Sequence, residues 1–236
     1  WLCRAHNVGD GGVAAGYSFK RGWLPPYPET TGYIIPTLLN AAENNPELAF
    51  RARAMGDWEI KIQLPNGAVR GGMGIRDYPI VFNTGQVILG WIALYRRFKD
   101  PAYINAAKRA ADWLVSIQDS DGKWSKHTFL DAPRAYHSRV AWPLLEVHAI
   151  TQTERYLISA GRFLEWLLPQ QKSNGFFPYM ALNPKRLPIT HTIAYTLRGL
   201  IECARLLEHK QHPAQLAVEL ALDELMKRNQ NIIVEG

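Results

Sequence analysis

Arg109-Ala110-Ala111-Asp112-Trp113-Leu114-Val115-Ser116-Ile117-Gln118-Asp119-Ser120-Asp121-Gly122-Lys123-Trp124 is the stretch that decides the fold. Its Trp113, Gln118 and Gly122 are spaced five and then four residues apart. The same register occurs upstream as Trp58, Gln63 and Gly67, and downstream as Trp166, Gln171 and Gly175. A weakened fourth copy survives as Leu225 and Gln230, with Val234 in the place of the glycine. Three matching registers in 236 residues mark an internal repeat with a period of 53 to 55 residues. Each unit of such an array buries its apolar face on its neighbours.

Helix-start signals keep the same phase. Asn45-Pro46, Asp100-Pro101 and His212-Pro213 each set a capping side chain before a proline at the first helical position, and Thr153-Glu154 takes that place in the third copy. In the second copy Tyr103, Ala106, Ala107, Ala110, Leu114 and Ile117 then form one stripe, while Asn105, Lys108, Arg109, Asp112 and Ser116 face away. The segments before the caps, Tyr33 to Ala42, Val87 to Phe98, Val140 to Ile150 and Ile193 to Leu207, are apolar nearly all round, as helices buried on most sides are. Pro36, Gly90, Pro143 and Gly199 lie at about one phase within them. The prolines imply a kink or a late start, the glycines a close helix contact. The chain reads as all-α: four hairpins over 29–236, inner helix then outer helix, preceded by an irregular aromatic and glycine-rich arm over 1–28 that packs on them.

Hairpins of this length joined head to tail curve into an α/α toroid with inner and outer helix layers. The stretch 109–124 resembles the glutamine–tryptophan repeat of α/α-toroid proteins such as the squalene cyclases, and also the repeats of the six-hairpin glycosidase and polysaccharide-lyase toroids. The resemblance covers most of residues 30–230 and implies architecture; toroids host unrelated reactions, so it implies no single chemistry. A full toroid of that kind has six hairpins against the four counted here, which leaves two readings: further hairpins ahead of Trp1, or an open arc. The four-residue acidic motif that protonates substrate in squalene cyclases is absent, and a terpenoid or prenyl-transfer role is the minor option. The run from Gly11-Gly12-Val13 through Gly22-Trp23 to Pro28-Glu29-Thr30-Thr31-Gly32-Tyr33 resembles toroid proteins of bacterial surface-polysaccharide gene clusters, which implies a glycan context without a mechanism.

Composition narrows the classes further. Hydrophobic residues make up 47% and charged residues 20%, which excludes disorder. The longest apolar run, Val87 to Tyr95, falls far short of the ~20 residues that span a bilayer. A net charge of +6 favours anionic partners, but the basic residues are scattered and no nucleic-acid motif is present, so nucleic acid is not an expected partner. Cys3 and Cys203 form neither a disulfide framework nor a metal spacing, and no metal or cofactor is expected. The chain begins at Trp1 rather than Met, so sequence ahead of it is expected; of the compartments, the cytoplasm is slightly favoured.

Loop lengths locate the expected site. Inner-to-outer connections are a few residues long, whereas the return connections, Leu64 to Asn83, Asp119 to Ala135 and Lys172 to Ile189, are long for mere connectors. Function concentrates on such loops, and the same face presents the inner-helix N-termini, whose free N–H groups favour anions. Thr31, Thr84 and His137 occupy one repeat position and His191 lies one residue off it; the threonines read as caps. Gly71-Gly72-Met73-Gly74 reads as a rim loop and Asp119 to Gly122 as a turn.

Two chemistries fit residues entering that rim. Glycoside hydrolysis needs two carboxylates, best supplied by Glu29 and Asp77, with Asp10 and Asp131 in reserve. Uronate β-elimination or C5 epimerisation needs a base at C5 and a neutraliser of the sugar carboxylate, roles that fall to His137 or His191 with Tyr136 or Tyr195 and Arg139 or Arg76. Trp23, Tyr27, Tyr33 and Asn83 complete the substrate-binding set, since aromatic faces stack on sugar rings. The expected substrate is an acidic polysaccharide or oligosaccharide; the rival from another class is a non-catalytic glycan-binding or assembly module. Glu29, Asp77, Tyr136, His137 and His191 are expected to converge on one end of the fold, with helix dipoles keeping both histidines neutral near pH 7.

Overall fold

Asn45 and Asp100 accept the backbone N–H groups of Glu47 and Ala102 through their side-chain oxygens, and His212 Nδ1 accepts that of Ala214, so these three helix starts are capped as the sequence indicates. Thr153 holds the corresponding position without a capping bond from its side chain. The structure, a computed structural model, describes residues 1–74, 76–183, 185–207 and 212–234, with side chains as far as 227. The weak fourth repeat copy, Gln230 and Val234, lies beyond the described side chains.

The elements are α1 (Leu2–Asn7), β1 (Tyr17–Ser18), β2 (Gly22–Trp23), α2 (Pro28–Ala41), α3 (Pro46–Ile62), α4 (Val81–Phe98), α5 (Pro101–Ser116), α6 (Ser138–Thr151), α7 (Glu154–Leu167), α8 (Thr190–Leu206) and α9 (Pro213–Val234). They fall into two compact units, Trp1–Ile117 with Ile150–Gln152, and Gln118–Ala149 with Thr153–Gly236. Among the described residues no helix is long and apolar enough to cross a membrane.

In the first unit, α2 with α3 and α4 with α5 form two hairpins. Helices α2 and α4 touch backbone to backbone: a Cβ on Gly90 would lie 2.5 Å from the carbonyl oxygen of Gly32, and one on Gly32 would lie 2.6 Å from Val87 Cα. Glycine permits this approach, which is the packing role the sequence assigns to Gly90. The α5 stripe is buried as its period demands, with Tyr103, Ala106, Ala107, Ala110 and Leu114 all at 0% exposure. The short antiparallel ladder of β1 and β2 pairs Tyr17 with Trp23 ahead of α2.

In the second unit, α6 lies beside α8. Ser138 Oγ donates to the carbonyl of Thr196 at 2.9 Å, and a Cβ on Gly199 would meet Ser138 Oγ at 2.3 Å. Each repeat glutamine ties its loop to the second helix of the following hairpin. Gln63 Nε2 donates to Gly67 O and Ala106 O in the first unit. In the second unit Gln118 Nε2 donates to Gly122 O and Ser159 O, and Gln171 Nε2 to Gly175 O and Ala217 O. The glycines sit at φ +92°, +96° and +77°, a backbone state that L side chains resist. The repeat is therefore a structural clasp.

Two expectations need correction. The first helices of the hairpins begin earlier than their apolar segments, at Pro28, Val81, Ser138 and Thr190, and Pro36 and Pro143 lie inside α2 and α6 rather than delaying them. Pro28 presets φ for the first turn of α2. The Thr31 and Thr84 hydroxyls donate to the carbonyls of Tyr27 and Ile80, four residues back, holding the polar first turns in place. Helix α8 is also not apolar all round: Arg198, Ile201 and Arg205 are exposed along it, because spacings of three and four put them on one solvent-facing stripe.

Candidate functional site

Long connections at 63–80, 117–137 and 168–189 alternate with short ones at 42–45, 99–100 and 152–153. The repeat threonines tie down the segments ahead of their helices, the N-terminal arm for Thr31 and the 63–80 connection for Thr84, rather than capping helices. Thr31 Oγ1 accepts the N–H of Val13, and Thr84 Oγ1 accepts that of Val69. Beside Thr84, Asn83 is 2% exposed and its Nδ2 donates to Arg70 O at 3.0 Å, so this amide braces the loop from within.

In the first unit the candidates gather at the start of α2. Tyr27 Oη donates to Glu29 Oε2 at 2.6 Å. Burial and then the Glu29 charge push the Tyr27 hydroxyl well above its ordinary range, so it stays a donor. Tyr33 and Tyr78 lie close enough to act electrostatically on Tyr27. Trp23 packs its ring against Trp1 and Tyr17 at 5.3 and 5.2 Å. Asp77 is exposed on the loop, ion-paired with Arg70, and Arg76 beside it is exposed as well. Of the reserve carboxylates, Asp10 is exposed, and Asp131, in the second unit, accepts the His127 N–H through its side chain.

The second unit separates its candidates into a buried set and a surface set. Tyr136 and His137 are buried, 5% and 1% exposed, and His137 meets the rings of Trp124 and Tyr136 edge-on. Its Nδ1 has no hydrogen-bond partner among the described residues. Burial first, and then the Arg134 charge, push the imidazole down to about 3. His137 is neutral, as the sequence reading has it, but through desolvation and a neighbouring cation rather than a helix dipole. Arg134, missed from the sequence, is fully buried and donates to Phe129 O and Leu182 O, joining two long loops; Ala135 N adds a bond to Tyr179 O.

The surface set lies along α6 and α8. The rings of His191 and Tyr195, one helical turn apart, have centroids 4.1 Å from each other. The Arg139 guanidinium stands 4.6 Å from the Tyr195 centroid and 5.6 Å from that of Trp142. Arg198 approaches Trp142 at 5.8 Å, and its Nη2 is 2.6 Å from Glu202 Oε1. Trp142 Nε1 donates to Glu146 Oε1, which also receives Arg205 Nη2. Sequence reasoning found His191, Tyr195 and Arg139 and missed the rest. The signal was present, since 139, 142 and 146 on one helix and 191, 195, 198, 202 and 205 on the other keep the three-and-four spacing of a single face. This stripe carries an imidazole, a phenol and guanidinium groups. Among the described residues, no group of three His, Cys, Asp or Glu side chains is placed to hold a metal ion.

The repeat clasp and this arrangement can be compared with known proteins. A curated relative, the squalene–hopene cyclase of Bradyrhizobium diazoefficiens, is 27% identical over 125 residues, which is 50% of this chain and 18% of that enzyme. Among solved structures, a GH76 α-mannanase from Bacteroides thetaiotaomicron aligns with a TM-score of 0.63 at 15% identity, over 81% of this chain and 56% of its own. A polysaccharide lyase aligns with a TM-score of 0.60 at 17% identity, over 83% of this chain and 59% of its own. The chain thus spans less than a fifth of the curated relative's length. The fold is the helical-hairpin α/α toroid. Residues 24–202, which contain the three intact copies of the glutamine clasp, match the squalene-hopene cyclase C-terminal domain family, and the chain belongs to that family.

Proposed function

We propose that this protein is a carbohydrate-active enzyme that acts on an acidic polysaccharide by uronate β-elimination or C5 epimerisation, with His191, Tyr195 and Arg139 as its working residues. The observation that carries this reading is the packing of His191 and Arg139 on the single ring of Tyr195. In elimination, His191 takes the C5 proton and the C–H electron pair becomes the C4=C5 double bond. The C4–O bond breaks, and the Tyr195 hydroxyl protonates the departing oxygen. Arg139 neutralises the uronate carboxylate, onto which charge spreads as the proton leaves. In epimerisation the C4–O bond survives and Tyr195 returns a proton to the opposite face of C5.

Family membership does not choose the chemistry, because one fold carries unrelated reactions. The charged stripe does bear on it. A hydrocarbon laid along α6 and α8 would strip water from the exposed Arg198 and Arg205 with nothing polar to replace it, whereas a glycan supplies hydroxyls and carboxylates. The structural likeness to an α-mannanase and a polysaccharide lyase supports a glycan over a terpenoid substrate. A second reading, glycoside hydrolysis, draws support from the Tyr27–Glu29 hydrogen bond, which orients a carboxylate at a helix start.

The test is incubation with oligogalacturonates and alginate oligomers, followed by ultraviolet absorbance of the conjugated C=C product and by deuterium uptake at C5. We expect one of these signals, with His191→Ala lowering it about 100-fold or more. New reducing ends without absorbance would replace this reading with hydrolysis. Binding without turnover would replace it with a glycan-binding module, and turnover of an isoprenoid diphosphate with a terpenoid enzyme.

A further inference from the structure

We propose that Arg139 and Arg198, which both stand over the indole of Trp142, form a two-point anion reader, so that the glycan site recognises consecutive acidic residues of a polymer rather than a single acidic sugar. This inference rests on the reading of the α6/α8 stripe as a glycan site and extends it along the two helices. Both guanidinium groups stand over the Trp142 ring, at 5.6 and 5.8 Å, which puts their charges within about 11 Å of one another. A guanidinium stacked on an aromatic face keeps its N–H fork in its own plane, the geometry that meets a carboxylate at the edge. A guanidinium carries five N–H donors, so the bond of Arg198 to Glu202 leaves donors on Arg198 for a ligand.

The indole they share is held rather than loosely packed. Its Nε1 donates at 2.9 Å to Glu146 Oε1, and Glu146 is itself 3% exposed and bridged to Arg205 across the two helices. Glu202 then receives both Arg198 and Arg205. Sinking a carboxylate such as Glu146 into the helix pair adds little to stability, since desolvation offsets the attraction of its partners. What the arrangement does is fix the ring over which the half-buried Arg139 and the exposed Arg198 both stand. Arg139 adjoins the Tyr195 ring, against which His191 also packs, so one acidic residue sits at the reacting position and a second, further along the chain, reaches Arg198.

The test measures binding and does not depend on turnover. Calorimetry at low and moderate salt compares tetragalacturonate, galacturonate monomer and neutral mannotetraose on the wild-type protein, Arg198→Gln and Arg198→Lys. Arg198 is on the surface, with 58% of its side chain exposed, and circular dichroism checks that both variants fold. We expect the acidic tetramer to bind best, Arg198→Gln to weaken it about tenfold while leaving the monomer unchanged, and Arg198→Lys to restore only part of the loss. Equal affinity of wild type and Arg198→Gln for the tetramer overturns the reader, as does equal binding of acidic and neutral tetramers. The two readings fail separately. Length-dependent acidic binding that Arg198→Gln abolishes, with no C=C product, removes the elimination chemistry and keeps the reader. Product formation with an unchanged KM for polymer in Arg198→Gln does the reverse.

Discussion

Gly122 lies against the carbonyl of Arg162 so closely that a Cβ there would sit 2.3 Å from the oxygen. Its φ of +96° is a second reason for glycine, since a side chain would be strained even in open space. The turn is closed by the Gly122 N–H donating to Asp119 O, and by Gln118 Nε2 donating to Gly122 O and, across to α7, to Ser159 O. Clash and strain add, so Gly122→Ala is expected to lower stability by about 2–4 kcal/mol. Gly161 is the internal control: it lies inside α7 with nothing within 4 Å of a built Cβ, and Gly161→Ala is expected to stabilise by up to about 1 kcal/mol. Denaturant midpoints of the two variants decide it; equal shifts would remove the clasp's special role.

His137 predicts acid sensitivity. The folded imidazole, pushed from 6.5 down to about 3 by burial and Arg134, stays neutral where the unfolded one takes up a proton. Between those values the unfolded state binds more protons, so stability falls as pH drops from 6.5 towards 3 and is intact above 6.5. The slope from this group approaches 1.4 kcal/mol per pH unit in the middle of that window. Thr31 and Thr84 hold the same repeat position, so His137→Thr is the natural substitution. It is expected to flatten unfolding free energy against pH below 6.5, whatever it costs at neutral pH. An unchanged slope in urea titrations across that range would refute the assignment.

Glu59 predicts the opposite sign. It is 0% exposed on α3, neither carboxyl oxygen has a hydrogen-bond partner among the described residues, and burial holds its carboxyl well above the ordinary range. The folded state therefore keeps a proton that the unfolded state releases, and stability declines as pH rises above the usual carboxylate range. Glu59→Gln is expected to match the wild type near pH 4 and to exceed it near pH 8, read as a gap in Tm that widens with pH. A constant gap would mean that Glu59 does not titrate between the two conditions.

Much of the architecture was legible because short-range chemistry writes it. Asn45, Asp100 and His212 cap helices through bonds to residues two positions on, and the Trp–Gln–Gly register stays visible because a glutamine amide and a left-handed glycine are needed at fixed spacing in every copy. The division into long and short connections followed from the same marks.

The candidate site was legible only in part. His137 and His191 stand at nearly matching repeat positions and look alike in the sequence, yet one is in the core and the other on the surface. Trp124, Tyr136 and Arg134 enclose the first, drawn from loop residues whose packing no local pattern announces, while the second packs at a tilt against a tyrosine one turn along the helix. Arg139, Trp142 and Arg198 had the spacing of two helix faces, but nothing in that spacing says that the two faces adjoin. Residue order by itself determined the hairpins and their repeat, because caps, turns and periodicity act over a few residues. Tertiary structure alone decided which histidine meets solvent and which arginines share a ring, because burial and stacking depend on partners distant in the chain.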